Sequence, residues 1–280
     1  MITTKRIKVE NKMAEHIKTL RTYFSHPKDV EFSDATRCFR VNGKSVPGLL
    51  PSLKEVFWPE YEYTKPKFQK KEKGRGKKKE KGGGLKRDVY GGLVRGSIVH
   101  NQLRLYANRA SVEEFEDQYC AIHEYTEKAI SALKIWKLVP ITGEYALFNQ
   151  FPLNVATAAD MICMNEAGEL VVIEWKTGMD NYFKRGSNQM HGPMKGIYNN
   201  CPLNQAYVQL FFTKTLLESE LSVKIKHAFV VQINSDGITR YPLPSTISQK
   251  KNQLISYFCQ KIEFVRSQKK KEKNFLKLYK

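Results

Sequence analysis

Apolar positions along this 280-residue chain follow two different periods, and the change from one to the other outlines its architecture. In the first half they recur every three to four residues. Residues 10–24 fit a helix, and after a turn at Asn42-Gly43 residues 51–57 fit a short one carrying Leu53, Val56 and Phe57. Gly91 to Asn108 predicts a longer helix with a stripe of Leu93, Val94, Ile98, Val99, Leu103 and Leu105. Residues 111–136 predict another, with Phe115, Tyr119, Ile122, Ala129, Leu133 and Trp136 on one side. From about residue 138 the pattern shortens to alternation and brief apolar runs, which predict strands at 144–149, 155–164, 169–176 and 224–233. Between the last two, residues 202–220 carry a helical stripe at Ala206, Leu210, Thr213 and Leu217, and 245–268 predicts a closing helix. Three meandering strands, a crossover helix and a further strand describe an α/β fold with a mixed central sheet flanked by helices.

Charge divides the chain differently. Residues 65–87 hold twelve Lys/Arg against two Glu, a net of +10, and residues 266–280 hold seven against one, a net of +6. The remaining 242 residues carry only +3 of the formal +19, so the body is near neutral and the basic character sits in two low-complexity pieces. The predicted organisation is an N-terminal extension (1–64), a disordered basic loop (65–87), a core (88–265) and a basic tail (266–280). Blocks of like charge attract polyanions, with nucleic acid the favoured target over a purely solubilising role. Tyr61 and Tyr63 ahead of the loop, and Lys77, Lys78 and Lys79 within it, suit stacking on bases and contact with phosphates. Phe57 and Trp58 fit core packing equally well.

The composition excludes several classes. No run of about 18 apolar residues is present, which argues against a membrane span or membrane partner. The start lacks an apolar signal region and carries Glu10 and Glu15, which weigh against secretion and against a transit peptide. Five cysteines, an odd number without metal-ligand spacing, read as reduced and mostly core thiols of a soluble intracellular protein. The compartment is left open between cytoplasm, nucleus and mitochondrion, and protein partners are unknown.

The densest chemistry lies in Thr157–Gly178, TAADMICMNEAGELVVIEWKTG. Two apolar strands flank Asn165-Glu166-Ala167-Gly168, a good turn because glycine takes positive φ. A hairpin there brings Asp160 beside Glu174 near its open end, and Lys176 projects to the face of Glu174 by period-two alternation. Ionised groups in apolar strands are costly unless they pair or bind metal. Two carboxylates offer hard oxygen ligands for Mg2+ or Mn2+, and an adjacent ammonium can orient a water or offset charge on phosphorus. The alternative is a set of surface residues on an edge hairpin.

Asp160 followed by Glu174-Trp175-Lys176 and Thr177-Gly178 resembles the PD-(D/E)XK nuclease superfamily, in particular its RecB-like exonuclease branch. Arg95-Gly96-Ser97-Ile98-Val99-His100 is similar to the branch's helical glycine-to-histidine motif. Gln209-Leu210-Phe211-Phe212 is similar to the helix after the catalytic strand, although Thr213 stands where a tyrosine is usual. Ser45-Val46-Pro47-Gly48 weakly resembles a strand-entrance segment of mitochondrial genome maintenance exonucleases and phage relatives.

The resemblance implies a restriction-endonuclease-like core in which His100, Asp160, Glu174 and the Trp175 carbonyl hold metal. It implies Lys176 and Gln209 as further catalytic residues, Glu144 and Gln205 in supporting roles, and Arg95 at the nucleic acid. Without it, a lone helical histidine such as His100 is more often structural, and so His123 and His191 are read. No iron–sulfur cluster is expected, since Cys201 and Cys259 lack companions. The expected activity is metal-dependent hydrolysis of DNA, as an exonuclease on single strands or duplex ends. A non-catalytic nucleic-acid-binding protein and an RNA-directed nuclease remain the alternatives.

Overall fold

The computed structural model describes residues 2–26, 30–33, 38–58, 89–109, 121–178, 183–186 and 188–278. Tyr61, Tyr63, Lys77, Lys78 and Lys79 lie outside them, with the whole tract 65–87, as does Cys120. The elements in chain order are α1 (Ile2–Ser25), β1 (Val30–Ser33), β2 (Cys38–Val41), β3 (Lys44–Val46), α2 (Leu49–Phe57), α3 (Val89–Ala107), α4 (Glu124–Ile135), β4 (Val139–Asn149), β5 (Val155–Met164), β6 (Leu170–Thr177), a 3-10 turn (Gly192–Met194), α5 (Pro202–Leu221), β7 (His227–Ile233), β8 (Ile238–Pro242), α6 (Ser245–Gln249) and α7 (Lys251–Leu278).

The architecture is mixed α/β. Strands β4 to β8 lie side by side in chain order, antiparallel except for the β6–β7 pair. That parallel pair requires a crossover, which α5 provides. Strands β1 to β3 form a separate antiparallel sheet. One apolar cluster joins α2, α5 and α7 to one side of the large sheet through Leu53, Phe57, Leu210, Phe212, Leu254 and Phe258. A second joins α3 and α4 to the other side through Val99, Leu103, Ala129 and Leu133, packed on Met161, Ile173 and Trp175. Phe24, Phe57 and Trp58 belong to the first cluster, so the N-terminal elements share the core of the sheet. Phe57 and Trp58 are buried and unavailable for base stacking.

Several expectations need correction. Of the helix expected over 111–136, residues 111–120 lie outside the described residues, and the described helix begins at Glu124, where the His123 ring accepts the Tyr125 N–H and closes the N-terminus. Ile122, assigned to its buried side, is exposed, as is Val94 on α3. Strand β4 starts at Val139 rather than 144, and the closing helix is two helices broken at Lys250. Strand β8 was not expected because ITRYP is half-exposed and carries no apolar run. Cys38 is exposed, unlike the buried Cys163 and Cys201. No helix among the described residues is long and apolar enough to cross a membrane.

Candidate metal centre

The β5–β6 turn forms as its residues dictate. Asn165 Oδ1 accepts the N–H groups of Ala167 and Glu169, and Gly168 takes φ +75°. From this turn the strands pair through Met164↔Leu170 to Met161↔Ile173, and there the ladder stops. Continuing that register sets Asp160 opposite Glu174. Past this point Pro47–Gly48 takes the edge of β5 that β6 has left, and the Ala156 N–H donates to the Pro47 carbonyl at 2.9 Å. The segment compared with a strand entrance is therefore built into the sheet at the hairpin's open end.

Glu144 completes the row. Gly143↔Met161 and Tyr145↔Ala159 are paired, so Glu144 stands opposite Asp160. Both strands reverse their facing at this row. On β5, Ala159 belongs to the α5-side cluster but Met161 to the α3-side cluster, two residues on. On β4, Gly143 faces α3 while Tyr145 faces the opposite cluster. Glu144 absorbs the reversal with φ +51°, a left-handed conformation that costs a non-glycine residue about 1–3 kcal/mol. Counted on from Ala159, Asp160 falls on the α3 side, where its Oδ2 lies 3.7 Å from His100 Nδ1; the reversal comes after it, between Asp160 and Met161.

Helix α3 brings His100 to that gap because two glycines admit it. A Cβ on Gly96 would lie 3.1 Å from Thr177 Oγ1, and one on Gly143 would lie 2.9 Å from Arg104 Cα. Asn108 ties the end of α3 to β4, its Oδ1 accepting Gly143 N–H at 3.0 Å and the Thr142 hydroxyl at 3.2 Å. At the other side of the helix the fully buried Gln102 accepts from His123 N–H and the Thr126 hydroxyl and donates to the Ala121 carbonyl.

The imidazole Nε2 then lies 3.1 Å from the Trp175 carbonyl, and Nδ1 lies 3.4 Å from Glu144 Oε1 and 3.7 Å from Asp160 Oδ2. Asp160 Oδ2 accepts the Trp175 N–H at 2.8 Å, the backbone donor freed where the strands part. From the opposite face of the sheet, Gln209 on α5 reaches Lys176 at 3.4 Å, and Lys176 Nζ donates to Glu174 Oε1 at 2.5 Å. Glu174 and Asp160 are buried, whereas the Lys176 side chain is 31% exposed.

Electrostatics follow from three acids in so small a volume. Burial drives the Glu174 carboxyl up to about 7, Asp160 pushing further and Lys176 opposing. Asp160 is likewise raised, by burial first, with His100 countering and Glu144 adding. Burial alone would lower His100, but the charge of Asp160 and the hydrogen bond and charge of Glu144 outweigh it and lift the imidazole to about 9. Without a metal, a proton on His100 and the Lys176 ammonium supply the positive charge that the acids demand.

A divalent cation fits this donor set. Ligand atoms of His100, Glu144 and Asp160 all lie within 4.8 Å of one another. Ligands on opposite sides of an octahedral Mg2+ are separated by about 4.2 Å. Among the described residues no such group includes Glu174, whose carboxylate is held by Lys176. Glu144, given only a supporting role from sequence, is thus the nearer companion of His100. Gln205 is turned away, its amide donating to Asn200 Oδ1 at 2.8 Å. Arg95 stacks its guanidinium over the Tyr125 ring at 5.2 Å, with Lys128 at the same distance from that ring. The backbone N–H of His191 donates to the Phe57 carbonyl at 2.9 Å.

No family model and no curated protein matches the chain. A solved structure described as "Crystal structure of SSO0001" is 18% identical, with 58% of this chain and 69% of that one covered and a TM-score of 0.28. A likeness of that size carries no argument about fold or activity.

Proposed function

We propose that this chain is a metal-dependent nuclease of the RecB-like branch of the PD-(D/E)XK superfamily, acting on DNA as an exonuclease on single strands or duplex ends. The observation that carries this reading is the row Glu144, Asp160, Glu174 across three strands, joined by His100 and Lys176 where the sheet opens. A mixed sheet with an antiparallel hairpin, a crossover helix bearing Gln209 and a parallel return strand supports a restriction-endonuclease-like core.

His100, Asp160, Glu144 and Glu174 with the Trp175 carbonyl would hold Mg2+ or Mn2+. Such an ion supplies Lewis-acid stabilisation at a phosphoryl oxygen and acidifies a nearby water. Lys176 is poised between Glu174 and Gln209, partly exposed, so its ammonium can donate to an attacking water and fix its direction. The same charge offsets negative charge that builds on phosphoryl oxygens. Gln209 sets the position of Lys176 from the far side of the sheet. A row of acids serving only to bind nucleic acid would repel its phosphates, which favours the enzyme over a passive binder.

The test is degradation of end-labelled single-stranded, duplex and circular DNA with magnesium, with chelator and a matched RNA strand as controls. Shortening of strands with ends, abolished by chelator, is expected. Binding without cleavage in every metal, or cleavage of RNA alone, overturns the assignment.

A further inference from the structure

A cleft of about 900 Å3 runs between α1 and β4. This lies at the upper end of the roughly 300–1,000 Å3 range of ligand sites. One wall is a single stripe of α1 (Ile17, Lys18, Arg21, Thr22), spaced three and four residues apart as one helical face requires. The other wall is the end of α3 at Asn108–Arg109, and the floor is β4 from Val139 to Ala146. The floor therefore includes Glu144, whose carboxylate meets His100 at 3.4 Å. Glu144 is thus the residue that the cleft shares with the metal centre.

Its charge is one-sided. Lys18, Arg21, Arg109 and His26 line it, and Glu144 is the single acid. Arg21 is held in place by a bond from Nη2 to the Pro140 carbonyl at 2.5 Å. Among the described residues neither Arg21 nor Arg109 has a carboxylate within ion-pair distance, and the pKa of Arg21 is lowered, by burial first and then by the charge of Arg109. Like charges kept together in a cleft, without a protein anion between them, form a receptor for an external one. Arg109 holds its position with φ +56°, a conformation rare for its type.

We infer that the α1–β4 cleft seats the backbone of a single DNA strand, its phosphates against Lys18, Arg21 and Arg109, and leads it to the Glu144 end of the metal centre. This inference rests on the nuclease reading for the direction of the strand, but its geometry concerns binding alone. Phosphate contacts of this kind position a strand without reading its sequence.

The experiment is a methylphosphonate scan on the full-length protein in chelator, so that binding is measured without cleavage. A single neutral linkage is moved along a short labelled strand, and affinity is read by fluorescence anisotropy for wild type, Lys18→Gln and Arg109→Gln. Both substituted side chains are exposed, so folding is not at stake. In wild type, neutral linkages at a few defined positions should weaken binding about tenfold, the scale of a charge-assisted hydrogen bond. In each variant one of those positions should become insensitive, while general attraction by the basic tract cancels between the scans. Identical scans in all three proteins, or a wild-type scan with no positional effect, overturn the inference. Cleavage with magnesium is scored separately: a position-dependent scan without cleavage would retain the cleft and reject the nuclease, and the reverse pair would reject only the cleft.

Discussion

The raised pKa of His100 makes the metal-free fold depend on pH in an unusual direction. The imidazole rises from an ordinary 6.5 to about 9 because Asp160 and Glu144 outweigh its burial. A group whose folded value is raised contributes stability that is complete below its unfolded value and is lost as pH climbs through the folded one. Glu174, lifted to about 7, follows the same sign but gives up its share mainly between about 4.5 and 7. The window from pH 7.5 to 8.5 lies above that of Glu174, and the His100→Gln variant separates the share of His100 from that of Asp160, which is also raised. One proton bound in the folded state and absent in the unfolded state corresponds to a loss of about 1.4 kcal/mol across that pH unit. The assay is urea unfolding in chelator, followed by tryptophan fluorescence. His100→Gln, which can still donate to the Trp175 carbonyl, should flatten the slope. The same proton competes with metal, so manganese affinity should rise about tenfold over this unit, with close to one proton released per ion. Wild-type stability that stays flat or increases with pH, or an undiminished slope in His100→Gln, would refute the reasoning.

Other outcomes follow from the same geometry. Asp160→Ala or Lys176→Ala should lower cleavage by at least about 10²–10⁴-fold with strand binding largely kept, and wild-type rates in either variant contradict the site. Gln209→Ala should slow turnover about tenfold by loosening Lys176, whereas Gln205→Ala, whose amide serves Asn200, should leave turnover unchanged; equal effects would count against the positioning role. Gly143→Ala places a methyl 2.9 Å from the Arg104 Cα and should cost about 1–3 kcal/mol in urea unfolding, with metal affinity reduced because His100 and Glu144 shift apart. Deleting residues 66–86 should weaken DNA binding and reduce its salt dependence with cleavage chemistry intact, and an unchanged salt slope would contradict that role.

Much of the core was legible because its signals are local. The turn at Asn165–Gly168 and the apolar strands on either side set the hairpin register, and that register puts Asp160, Glu174 and Lys176 at its open end. His100 was visible only through its motif. The physical reason for the motif is the close approach of α3 at Gly96, a contact no single-strand pattern contains. Alternation failed at Glu144 and Asp160, where both strands reverse facing together, so the closeness of Glu144 to His100 could not be read from period two. Gln205 lies only one helical turn before Gln209, yet a loop asparagine captures it, and such a partner is set by tertiary packing. The stacking of Arg95 on Tyr125, thirty positions away in sequence, is likewise a tertiary contact that no local pattern carries.

The central claim is that the parted end of the β5–β6 hairpin holds a divalent cation. Crystals grown in manganese and measured at the metal's absorption edge would test it most directly. The account predicts an anomalous peak within bonding distance of Asp160 and His100, with the imidazole proton displaced and Lys176 still held by Glu174 and Gln209. Manganese bound only elsewhere, with His100 still on the Trp175 carbonyl and the gap closed, would contradict it.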